Sequence, residues 1–184
     1  MKSLLFSILF SITEVFATAQ QSRIDTLFNR LSLTENDTLR MIYCDILAWE
    51  YTEIRADSSI YFFKKTVDLA QKFDYRLNEA SALNGMGYAN YIVGDYSKSL
   101  EVLLKASKIA ANEQSIQNIL PGKFFAVWNI PFGVTLLAHA QYPEKQRKNI
   151  LAITNQILGH VYGFAMRNIK KQLNYYGLSK ELAE

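Results

Sequence analysis

Three side chains in this 184-residue chain are of the types most used for metal binding or nucleophilic chemistry: His139, His160 and Cys44. No His-x-x-x-His or Cys-x-x-Cys spacing is present, so nothing in the sequence builds a metal shell, and no metal is expected. Neither histidine stands near a serine in a nucleophile-elbow sequence. Gly85-Met86-Gly87 falls inside a helical pattern, whereas a phosphate-cradling loop follows a strand. The expectation is a non-enzyme without cofactors. Cys44 sits in an apolar helical pattern with Met41, Ile42, Leu47 and Ala48, which reads as a buried structural thiol.

The bulk properties narrow the class further. With 49% hydrophobic and 13% aromatic residues the chain can bury a sizeable core, and a net charge of +3 gives nucleic acid no special attraction. No nucleic-acid partner is expected. Charge is nonetheless uneven: residues 140–184 hold seven basic and three acidic groups, whereas residues 20–139 hold twelve and thirteen. A basic C-terminal hairpin could meet an acidic partner or a membrane surface, but solvated helix faces explain it more cheaply.

Residues 1–19 read as a signal peptide. Lys2 precedes the apolar run Leu4 to Ile12, and Ala17-Thr18-Ala19 offers small residues where a signal peptidase cuts, placing cleavage after Ala19. The run is much shorter than the roughly 20 apolar residues of a membrane helix, so no stable span is expected once the signal is removed. The expected location is periplasmic or secreted. Asn36-Asp37-Thr38 fits a glycosylation sequon where the host has that machinery.

From Arg23 onward apolar residues recur every three or four positions, which predicts an all-α chain. A short first helix carries Leu27 and Leu31; a second spans about 38–53. Asp57 is expected to cap a third with Ile60, Phe63, Val67 and Ala70 on one stripe. The clearest pair is Ala80 to Val93 and Ser97 to Ala111, joined by Gly94-Asp95-Tyr96. Glycine can end a helix left-handed, the aspartate starts the next turn, and the tyrosine is expected to pack between both helices. Gly87 in mid-helix costs about 1 kcal/mol of helix propensity, which implies close approach of the facing helix. Between 112 and 146 the pattern weakens. Pro121-Gly122, Ile130-Pro131 and Tyr142-Pro143 interrupt it, while Phe124, Phe125, Trp128, Phe132 and Tyr142 suggest a distorted helical pair covering the first hairpin, or alternatively a binding loop.

Leu83 to Ala89, Gly94-Asp95-Tyr96, Ser99-Leu100 and Lys105-Ala106 together resemble a tetratricopeptide repeat, with Gly87, Ser99 and Ala106 in its small-residue positions. Asn90 departs from the family, which more often has an aromatic there; Tyr91 follows one step later. Weaker copies surround Ala48 and Gly159, giving expected repeats at about 38–72, 78–111 and 147–184 within a domain spanning 20–184. Ala48 and Gly87 are 39 apart and Gly87 and Gly159 are 72 apart, as if one repeat were missing or degenerate between them.

The resemblance implies a superhelix of antiparallel helix hairpins whose inner surface binds a protein or peptide. By position it makes Asp45, Trp49, Asn84, Tyr88, Tyr91 and His160 the candidate contacts, with core packing the competing role for the aromatics. The order of segments also resembles the exported repeat region of bacterial sensor kinases and regulators, which implies a sensory role as the alternative. Leu173, Tyr176 and Leu182 on a final helix without a capping helix would then favour self-association.

Overall fold

The computed structural model describes residues 20–120 and 142–183, and among these the chain is all-α with no strand. Helix α1 covers 20–33; α2 is Asp37–Tyr51, α3 Ala56–Lys72, α4 Arg76–Ile92 and α5 Tyr96–Ala111. A short 3-10 turn, Glu113–Ile116, follows. Helix α6 is Pro143–His160, running into a π-helical turn at Val161–Ala165, and α7 is Ile169–Ala183. The expected leader 1–19 lies outside the described residues, as do Phe124, Phe125, Trp128, Phe132 and His139 of the expected distorted segment.

Local chemistry explains the ends of these helices. Asn36 precedes α2 and its side chain accepts the Leu39 amide at 3.0 Å, satisfying one donor of the open first turn. Asp57 does not cap α3. The Ser59 amide already reaches the Arg55 carbonyl (3.0 Å), so the helix begins earlier and Asp57 is its second residue, 3.7 Å from the Arg55 guanidinium. Its charge there still favours the positive end of the helix.

The turn at 94–96 forms as its residues dictate. Gly94 has φ +82°, the Asp95 amide reaches back to the Asn90 carbonyl (2.9 Å), and Asp95 Oδ1 accepts from the Lys98 amide (3.0 Å). The turn before α4 repeats that geometry without glycine. Asp74 takes φ 55°, and the Tyr75 amide bonds the Ala70 carbonyl at 2.9 Å. Tyr96 does not pack between the two helices; it lies on the surface, 39% exposed, with its ring 5.9 Å from that of Tyr91.

Each helix from α2 to α7 packs on its chain neighbour, and α4 touches α2 and α6 as well. Leu47, Ala48, Phe63, Ala82, Leu83, Val102 and Ala106 form the central core. Leu103 joins Ile157, Leu158 and Val161 in a second, which binds α5 to α6. Burying each large apolar side chain stabilises by about 1.5–3 kcal/mol.

Small residues sit where helices nearly meet. A Cβ on Gly87 would lie 2.5 Å from Leu103 Cγ, and one on Gly85 would strike the Phe63 ring, so α4 needs glycine toward both neighbours. The Ser99 hydroxyl donates to the Gly87 carbonyl at 2.8 Å, and Ser99 and Ala106 are fully buried. Gly159 plays the same part under the Tyr176 ring. Helix α6 packs directly on α4 and α5, although 72 residues separate Gly87 from Gly159. Tyr142, at the start of α6, is 59% exposed.

Candidate functional site

Ala48, Gly87 and Gly159 are each followed by a ring: Trp49, Tyr88 and His160. Successive helical residues are rotated by about 100°, so a small residue facing its hairpin partner puts the next one on the neighbouring face. Three alternate helices, α2, α4 and α6, thus present one aromatic each at the same register.

The rings form a connected row on α4 and α6. Tyr88 and Tyr91 stack at 6.4 Å and 23°, Tyr91 meets His160 edge-on at 6.5 Å, and His160 touches Phe164 (6.0 Å) and Tyr176 (5.6 Å). Tyr88, Tyr91 and His160 are all half-buried. The Tyr88 hydroxyl points to Glu53 Oε1 at 3.4 Å, which links the row to the end of α2. Burial raises the hydroxyl pKa of both tyrosines and lowers the imidazole pKa of His160, so it favours the neutral form of each ring.

Trp49 stands differently. Its ring packs edge-on against Phe63 at 5.1 Å, and Nε1 is enclosed with no hydrogen-bond partner. Asn84 is buried and fully engaged: its Nδ2 donates to the Ile150 carbonyl (3.1 Å) and its Oδ1 accepts from the Thr154 hydroxyl (2.8 Å). It ties α4 to α6. Asp45 is also buried, at 8% exposure, yet makes no hydrogen bond or ion pair among the described residues. Burial pushes its carboxyl up to about 7.

The chain compared with protein-family models, curated proteins and solved structures gives no match. The site is therefore argued from its own geometry. Among the described residues no group of three or more His, Cys, Asp or Glu could hold a metal ion, and no helix is long and apolar enough to cross a membrane. Cys44 is buried, and burial first, then the Asp45 charge, pushes its thiol up to about 11, which keeps it protonated and unreactive at neutral pH.

Three features of this region were not picked out in the sequence. Glu53 lies in the turn just after α2, four residues beyond Trp49, a spacing that could have flagged it. Phe164 is 68% exposed because the π-helical turn swings it outward, with Gly163 accommodating Gln172 beneath; nothing in the spacing of apolar residues announces a π turn. Glu79 is fully buried in α4 and bonded by Gln71 (2.7 Å), Lys105 (2.9 Å) and Arg76 (3.0 Å), joining α3, α4 and α5. Burial opposes its charge, but those three partners outweigh burial and hold its pKa below the ordinary value.

Proposed function

We propose that the protein is an exported, non-catalytic stack of tetratricopeptide-type hairpins that binds a protein or peptide along Trp49, Tyr88, Tyr91 and His160. The observation that carries this reading is the half-buried row of contacting rings formed by Tyr88, Tyr91 and His160 on α4 and α6. Such rings offer a large contact area, and preformed helices hold them, so little ordering entropy opposes binding. The close approaches at Gly87 and Gly159, and the equivalent placement of Ala48, support the repeat reading. Asn84 is left out of the contact surface because α6 already occupies its amide.

The test is binding of the full chain to an array of synthetic 12-residue peptides. Tyr88→Ala combined with Tyr91→Ala is expected to weaken binding at least tenfold with unchanged far-ultraviolet circular dichroism. Full binding by that variant removes the row from the contact surface, and loss of helicity makes the two rings core residues.

A further inference from the structure

We propose that α7 docks on the surface of an anionic lipid bilayer, with Ile169 and Leu173 among the acyl chains and Arg167, Lys170 and Lys180 at the level of the phosphates. Large apolar side chains crowd the surface where α6 gives way to α7: Phe164 and Met166 are exposed in the turn, and Ile169 and Leu173 are 66% and 64% exposed. Among the described residues no other stretch of ten exposes four of them. Single exposed apolar residues are ordinary, but a group of them marks a contact surface. Ile169 and Leu173 lie one turn apart on the same stripe of α7, and the next turn presents Gly177, where a Cβ would meet nothing within 4 Å. That stripe is not the one that holds the helix in place. Tyr176 covers Gly159 of α6, and Gln172 covers Gly163.

Charge selects the occupant. From Lys145 to Lys180 the sequence holds no acidic residue. Arg167 and Lys170, both exposed, stand on either side of Ile169 in the chain, and exposed Lys180 lies two turns beyond Leu173 on the same stripe. Lys171 takes the other flank, its Nζ 4.4 Å from the centroid of the Tyr162 ring. Solvated helix faces account for these cations, but not for the bulky apolar groups set among them. A second copy laid along the stripe would bring two sets of cations together, with Glu181 as the acid of each α7 to offset them. An anionic bilayer supplies both needs in one layer. Its hydrocarbon takes Ile169 and Leu173, and its phosphates lie just above, where lysine and arginine reach along their own aliphatic stems.

The experiment cosediments the full-length chain with vesicles of phosphatidylcholine, alone or with roughly one-third phosphatidylglycerol. Binding to the anionic vesicles is expected to be about tenfold tighter or more, and to weaken as salt screens the cations. Ile169→Ser with Leu173→Ser should weaken binding about tenfold, and Arg167→Gln with Lys170→Gln should bring the two vesicle types within about threefold, both with unchanged circular dichroism. Residues 4–12 are the same in every variant, so the comparison reads α7. Equal binding to both vesicle types, equal binding by the parent and the serine variant, or no vesicle binding at all overturns the inference. In the last case a dimer that the serine variant dissolves assigns the stripe to a second copy, and retention on polyglutamate assigns it to an acidic protein. If the serine variant does not fold, Leu173→Cys carrying an environment-sensitive dye decides, because Cys44 is buried and unreactive. Blue-shifted emission on anionic vesicles supports insertion, and unshifted emission overturns it.

Discussion

An alanine at position 87 would bring a methyl group to 2.5 Å from Leu103 Cγ and 2.6 Å from Cδ2, about 1 Å inside ordinary carbon contact. Leu103 is fully buried between α4 and α6, and the atom struck first is its branch point, so rotating the side-chain tip does not relieve the clash. Overpacking of this kind costs about 1–3 kcal/mol, offset by about 1 kcal/mol of helix propensity gained on replacing glycine. Gly87→Ala is therefore expected to lose up to about 2 kcal/mol. Leu103→Ala alone opens a cavity and should cost about 2–5 kcal/mol. In the double variant the new methyl enters the vacated space, so the clash disappears and the propensity gain remains. The double should be about 1 kcal/mol more stable than Leu103→Ala, a coupling of about 1–3 kcal/mol. Urea denaturation followed by circular dichroism at 222 nm measures all four corners of the cycle. Additivity within about 0.5 kcal/mol would refute the close α4–α5 approach.

Asp45 sets a pH dependence of defined sign. Its folded pKa of about 7 lies above the ordinary carboxylate value, so its contribution to stability is full below about pH 4 and is lost as pH rises through 7. The whole effect is on the order of 4 kcal/mol; Asp45→Asn should gain on the parent in urea melts at pH 8 and lose that advantage by pH 4. Removing the charge of Glu79 acts oppositely: Glu79→Gln strands Lys105 and Arg76, both half-exposed, and should cost about 2 kcal/mol in thermal unfolding at pH 7. Two other glycines separate conformation from packing. Gly94→Ala, at φ +82° with open space around it, should lose about 1 kcal/mol, whereas Gly177→Ala, in α7 with nothing within 4 Å, should gain about 0.5–1 kcal/mol; matching chemical melts would contradict the assigned geometry.

The pair α4 and α5 is the most legible part of the chain, since Gly94-Asp95 marks its turn and apolar spacing marks both faces. The apolar pattern places the start of α4 at Ala80, four residues late, because the preceding turn uses Asp74 in a left-handed conformation, where no glycine advertises the break. Asp57 looked like a cap because a carboxylate near a helix start suits either the cap or the first turn, and only the backbone distinguishes them. In the candidate site, the register of Trp49, Tyr88 and His160 was readable from the small residues before them. The different fates of Asp45 and Asn84 were not. Asn84 is fixed by Ile150 and Thr154, 66 and 70 residues away, and local spacing carries no information about such partners.

That long-range tie also shapes how the molecule assembles. Contacts from α2 to α5 join helices separated by turns of a few residues, so they form with little loss of chain entropy, while seating α6 on α4 first requires the ends of the connection between Ala111 and Pro143 to meet. Contacts of high sequence separation form slowly. The α6–α7 hairpin is thus expected to join the helices before it last. His160 travels with it, so the aromatic row is complete only while that hairpin stays docked.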